Sequence, residues 1–248
     1  MKLSHGVRMS ESNRQMDLSP DQRIVFEVFG LGINATIVNT WIVMAVLTVT
    51  SCAVTWRLRP DMPASRWRTA LEVIVTGIAA QISEITERPS LSLIPYVGTL
   101  FLFIAVSNIL LVIPGFDPPT ASLSTTTALA ISVLVAVPIF GIGSRGVGGY
   151  LHGYIEPSPL MLPFNIIGEA SRGLALAVRL YGNIMSGAVI AAILLSVAPF
   201  FFPVVMDMLG LLTGLIQAYI FAILATVYIA AATRASEPEN AANDSNAE

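Results

Sequence analysis

The stretch GLALAVRLYGNIMSGAVI, Gly173–Ile190, is apolar except for one charge near its centre, Arg179. A guanidinium keeps its proton in proteins. At mid-bilayer depth an arginine costs roughly 2.5–3.5 kcal/mol on insertion scales, where a leucine would be favoured. A charge retained there marks an ion or substrate pathway, with an acidic partner on this chain or another.

The composition says that the setting is a membrane. Of 248 residues 54% are hydrophobic and only 12% charged, and the mean hydropathy is +0.74. Asp, Glu, Lys and Arg are all missing from 28–56, 89–116, 118–144, 180–206 and 208–233. Each gap can hold a spanning helix of about 20 residues. The fold class expected is an all-α membrane protein with about five transmembrane helices. Three regions are expected: an outer segment 1–34, a polytopic domain 35–233, and a disordered acidic tail 234–248. Arg57, Arg59, Arg66, Arg68 and Arg88 flank the segment between the first two gaps, and Arg145 and Arg234 flank later ones. By the positive-inside rule these ends are cytoplasmic, which puts the N-terminus outside and the tail inside.

Several classes of chemistry are excluded. Cys52 is the single cysteine, and His5 and His152 are the only histidines, both outside the expected spans. No disulfide, zinc cluster or histidine triad fits that inventory. Lys2 is the only lysine, so a phosphate-binding loop with its required lysine is absent. No cofactor and no nucleic-acid partner is expected.

Along the chain, the first span is expected over about Thr36–Trp56. Between Ala70 and Glu87 the apolar residues Leu71, Ile74, Ile78, Ile82 and Ile85 recur every three or four positions. That spacing predicts an amphipathic helix, lying on the membrane surface or packed against a partner subunit. Further spans are expected near Ile94–Ile113 and Thr127–Ile142, followed by a glycine- and proline-rich loop, GIGSRGVGGYLHGYIEPSP. The last two helices, about Leu162–Val197 and Val204–Ala232, meet at APFFFP and form a long hairpin. The first of them measures about 54 Å at 1.5 Å per residue against a hydrocarbon core of about 30 Å, so the hairpin must tilt, bend or project.

Within that long helix Asn165, Glu169, Arg172, Arg179, Asn183 and Ser186 are three, four or seven residues apart, which keeps them near one helical face. Gly182, Ser186, Gly187 and Ala188 leave room for another helix to approach. Gln217 is the strongly polar side chain of GLLTGLIQAYIFAILATVYI, and counting from the hairpin joint sets it opposite Arg179. A hydrogen bond from the guanidinium to its amide oxygen would hold the charge without neutralising it. The alternative is that Arg179 pairs within the chain with Asp207 or Glu169 and locks the helices; the distance of both carboxylates along their helices weighs against it.

RGLALAVRLYGNIMSG, followed by GLIQAYIFAILATVYI, resembles subunit a of the F-type ATP synthase, the stator channel of the membrane sector. PGFDPPTASLSTTTALA and the Ser107–Asn108 pair in AVSNILLVIPG strengthen the resemblance, which runs from about Phe29 to Ala231. It implies that Arg179, Asn183 and Gln217 occupy functional positions, and that Glu169 and Arg172 match the acidic and basic residues preceding the arginine. It also implies a bacterial-type plasma membrane, a rotating ring of c subunits as partner, and b-type stalk subunits beside it.

On that resemblance, the ion-translocating residues are Arg179, Gln217, Asn183, Glu169, Arg172, Asp207 and Ser186. Arg179 would be leak barrier and rotor partner, Gln217 would position it, and Asn183 would line the path. Glu169 and Arg172 would line the cytoplasmic half-channel or form an internal ion pair. Ser122, Ser124 and Thr125 are expected to cap the outer loop. Two family positions that commonly carry an acidic residue or histidine are Ala188 and Gly210 here, and Asp207, one turn from Gly210, is the candidate replacement. The ion is H⁺ or Na⁺, and a sodium-type branch of the family is admitted. The rival reading is a stand-alone transporter using Arg179 to bind an anionic substrate, but no internal repeat of the transporter kind is evident.

Overall fold

The computed structural model describes residues 24–28, 31–56, 66–86, 92–113, 116–155, 158–197 and 202–234. Its helices are α1 (Ala35–Trp56), α2 (Arg66–Thr86), α3 (Leu93–Leu110), α4 (Leu123–Ile155), α5 (Met161–Val197) and α6 (Phe202–Arg234). Five of the six contain a stretch long and apolar enough to cross a bilayer; α2 does not. Helices satisfy every backbone polar group within the segment, which hydrocarbon demands.

Ahead of the spans, the expected outer segment carries a small β-ribbon. Strands β1 (Ile24–Val28) and β2 (Leu31–Asn34) pair antiparallel, with Val28 opposite Leu31. The stretch IVFEV is rich in β-branched and aromatic residues, which favour strands, though its apolar content alone gave no secondary structure. The rest of the segment 1–34, the connector 57–65, the joint 198–201 and the tail 235–248 lie outside the described residues.

The amphipathic helix forms as α2, and its buried face meets this chain rather than only a surface or a partner. Ile82 is buried, and Tyr219 of α6 donates a hydrogen bond to Gln81 Oε1 at 2.9 Å. Val73, Ile74 and Val75 stay exposed.

One expectation is overturned. The glycine-rich stretch from Gly141 is helical as far as Ile155, apart from one break at Gly146, where φ is 73° and ψ 164°. Glycine adopts that backbone region freely and other residues do not. The remaining glycines lower helix propensity by about 1 kcal/mol each, and tertiary packing outweighs that cost: Tyr150 is buried in the resumed helix.

The core joins α3, α4, α5 and α6. Leu100, Phe103 and Ile104 pack with Val133, Leu176, Leu180 and Phe221, and Val43 of α1 closes the cluster. Ala130, Ala177, Ala218 and Ala225 lie in the same cluster, small side chains that let the backbones approach. A short 3-10 turn, Pro119–Ala121, is fully buried and wedges among α1, α3, α4 and α5. Asn39 of α1 ties the adjoining loop by donating to the Asp117 carbonyl at 2.8 Å.

Candidate functional site

The polar stripe of α5 divides between two surroundings. At about 100° per residue its six side chains span roughly 100° of arc, wide enough for its edges to face different neighbours. Asn165, Glu169 and Asn183 are half-buried, whereas Arg172, Arg179 and Ser186 are exposed. Leu176, Ala177 and Leu180 make the buried face. Arg179 therefore stands on the open side of α5, beside Gly182, where an added Cβ would meet no atom within 4 Å.

The hairpin register is fixed by Asn183, whose Nδ2 donates to the Thr213 carbonyl at 3.5 Å. One turn further along each antiparallel helix, Arg179 is level with Gln217. The hydrogen bond expected between them is not formed in the isolated chain. Gln217 is 5% exposed, and its Nε2 is buried without a partner. A buried amide donor left unpaired costs about 1–3 kcal/mol, and Arg179, which carries donors only, is not the acceptor that Nε2 lacks. Ser186 donates back to the Asn183 carbonyl at 3.0 Å.

Asn108, quoted above only for a resemblance, belongs to the same polar level. It is 1% exposed and donates through Nδ2 to the Ile104 carbonyl at 2.8 Å and the Gly214 carbonyl at 3.1 Å. Only glycine fits opposite: a Cβ on Gly214 would lie 2.6 Å from Asn108 Cγ. A lone asparagine in an apolar span was the signal, since such side chains hydrogen-bond between helices.

At the other end of α5 is an open cleft of about 490 Å³, lined by Tyr150, Tyr154, Asn165, Glu169, Arg172 and Tyr228 among others. The Tyr154 hydroxyl donates to Glu169 Oε2, and its carbonyl accepts from Asn165 Nδ2 at 3.0 Å. Burial first, then the hydrogen bond to Glu169, raise the Tyr154 phenol above its ordinary pKa. It is thus the proton donor of the pair. Glu169 and Arg172 do not form the ion pair that their spacing allows; the guanidinium carbon sits 5.8 Å from the centre of the Tyr228 ring. Tyr150 and Tyr154 were not singled out from sequence, because the segment holding them was expected to be a loop.

The remaining candidates lie apart. Asp207 is exposed, Ala188 is exposed, and a Cβ on Gly210 would touch Leu111 at 3.8 Å. The Ser122 carbonyl accepts from Thr126 N at 3.1 Å, opening α4, and the Ser122 and Ser124 hydroxyls are 2.6 Å apart. Among the described residues no group of three or more His, Cys, Asp or Glu is placed to hold a metal ion.

These features define a multi-pass helical membrane protein with a charged residue on the open face of its terminal hairpin. The family described as ATP synthase A chain matches residues 37–230. ATP synthase subunit a 2 of Acaryochloris marina is 58% identical over 222 residues, covering 90% of this chain and 95% of that one. ATP synthase subunit a 1 of Chlorobium luteolum is 58% identical over 220 residues, 89% of this chain and 99% of its own. ATP synthase subunit a of Albidiferax ferrireducens is 57% identical over 224 residues, 90% and 97% of the two chains. The chain belongs to the ATP synthase subunit a family. It is a non-catalytic membrane-sector subunit of the ATP synthase complex, serving ATP synthesis through ion transport.

Proposed function

We propose that this chain is the stator that conducts ions to and from a ring of c subunits, with two half-channels meeting at Arg179. The observation that carries the proposal is a permanent cation on the open, small-residue face of α5. Such a charge in an apolar segment needs a partner from outside the chain. A ring carboxylate exposed to lipid is tolerable only when filled, because an isolated ionised group there is very costly. Beside Arg179 it can be empty, since an opposite charge within a few ångströms favours the ionised form. The same cation repels the transported ion and closes the direct leak between half-channels. Each charge crossing is driven by roughly 2.3 kcal/mol per 100 mV, and that energy turns the ring only if the leak is closed.

In this reading Gln217 steadies Arg179 once the ring is in place, and Asn183 and Ser186 line the path. Glu169 and Arg172 serve the cytoplasmic half-channel and Asp207 the outer one. The N-terminus is outside, the C-terminus is in the cytoplasm, and b-type stalk subunits hold the chain against the ring in a bacterial-type plasma membrane. The ion is H⁺ or Na⁺.

ATP-driven ion uptake into inverted vesicles carrying the whole complex tests this. Arg179→Ala is expected to reduce uptake to background at normal assembly, and the Na⁺ dependence of the wild type names the ion. Undiminished uptake in the variant would sink the proposal. Asp207→Ala tests the outer half-channel separately: uptake unchanged from wild type removes Asp207 from the path.

A further inference from the structure

Glu169 and Arg172 are three residues apart on one helix, a spacing at which opposite charges ordinarily pair. Here each is held by a different neighbour. Tyr154 of α4 binds Glu169 Oε2, and Tyr228 of α6 takes the Arg172 guanidinium over its ring. Glu169 Oε1 is left buried with no hydrogen-bond partner. A carboxylate oxygen in that condition calls for a cation, a proton or a water.

The location fits a passing ion. Glu169, Arg172, Val137 and Tyr228 line both the open cleft and a void of about 10 Å³ beside it, which Gly173 and Leu176 also line. A void of that size is near the minimum for one water. Leu176 is one turn before Arg179. Glu169 thus stands between the open cleft and a water-sized void that lies further along α5 in the direction of Arg179.

Tyr154 is itself held in place. Its hydroxyl lies 2.9 Å from that of Tyr150, and the Tyr150 ring rests on Gly141, where a Cβ would come within 2.5 Å of it. The break at Gly146 redirects α4 between Gly141 and these two tyrosines. Among the described residues, the titratable or charged groups sharing the cleft with Glu169 are Tyr150 and Tyr154 from α4, Tyr228 from α6, and Arg172 from its own helix.

We infer that Tyr154 is a positioning residue of the inner ion path: by holding Glu169 Oε2 it keeps the carboxylate off Arg172 and leaves Oε1 to receive the entering cation. A Glu169 neutralised by Arg172 would offer that cation little. The inference rests on the stator reading above, and adds to it the group that keeps the inner carboxylate available.

The test is ATP-driven uptake in inverted vesicles, whose outer medium faces the cytoplasmic side, with the ion titrated in that medium (Na⁺, or pH where the ion is H⁺). In Tyr154→Phe complexes the half-saturating ion concentration should rise about tenfold, the equivalent of one hydrogen bond to a charged group, while uptake at saturation changes little. Tyr150→Phe should raise it less, in the same direction. In a Glu169→Gln background, adding Tyr154→Phe should change nothing further. A merely structural tyrosine would lower saturated uptake in both backgrounds and leave half-saturation where it was, and that result overturns the inference. Should Tyr154→Phe fail to assemble, an unmoved half-saturation in Tyr150→Phe overturns it equally. Arg179→Ala run beside these separates the two readings: background uptake there, with half-saturation unmoved in the tyrosine variants, removes only the role of Tyr154.

Discussion

The two arms of the terminal hairpin are built from nearly the same residues and end in opposite environments. α5 has 37 residues and α6 has 33, both dominated by Leu, Ile, Val and Ala. Yet 44% of the apolar stretch of α6 is buried within the chain and only 17% of that of α5. α6 turns Gln217 and Thr226 inward: both are buried, and Thr226 donates to the carbonyl one turn back. α5 places Arg179 and Ser186 outward, on a helix that also exposes Leu174, Val178 and Ile193. Apolar residues facing outward are ordinary in lipid, but an arginine among them is not. The contrast teaches that α6 is packed largely from within this chain, whereas α5 leaves its charged face open.

The largest break in that contrast is Arg179→Ala, expected to leave the chain folded and assembled while ATP-driven uptake falls to background. If α5 were instead an ordinary lipid-facing helix, the substitution would raise membrane stability and cost no transport. Gly182→Leu sharpens the same point without touching charge. Inside the chain the new Cβ meets no atom within 4 Å, so the isolated chain in detergent should be at least as stable as wild type. Against a close-packed partner helix it should cost about 1–3 kcal/mol, reducing uptake roughly tenfold or more. Uptake equal to wild type would mean that nothing approaches α5 at that level.

Much of this was legible in the sequence, and the exceptions have physical reasons. Gaps between charges gave the number of spans because charge is what a bilayer penalises most, although the span Met161–Leu194 carries Glu169, Arg172 and Arg179. The level of Arg179 with Gln217 followed from counting outward along two straight helices from one joint. The α4 extension was misread because glycine and proline are local signals, and what overrides them, Tyr150 packed on Gly141 and Tyr154 bonded to Glu169, joins residues 9 and 15 positions apart. Spacing along one helix also cannot say which charges pair. Glu169 and Arg172 had the right separation, and the side chains that part them come from α4 and α6. Asn108 could have been nominated as a polar residue in an apolar run; its partner Gly214, having no side chain, announces nothing.

The smallest expected effects lie on the buried arm, and they complete the comparison of glycines. Gly182→Ala should stabilise the isolated chain by up to about 1 kcal/mol, the helix-propensity gain over glycine, because its Cβ enters empty space. Gly214→Ala makes the same chemical change and should lower stability by about 1–3 kcal/mol, since its Cβ would fall 2.6 Å from Asn108 Cγ. Asn108→Ala alone should cost less, about 0.6 kcal/mol for an average hydrogen bond between membrane helices plus some packing. The carbonyls that lose the amide, Ile104 and Gly214, sit inside helices whose backbone ladder still engages them. Joined in one chain, the two substitutions should compensate, because removing the amide clears the space that the new methyl needs. Thermal unfolding of the four chains in detergent gives the coupling directly. Strictly additive losses would mean that α3 and α6 meet at this point through something other than the Asn108–Gly214 contact, and α6 would lose its standing as the arm fixed from within.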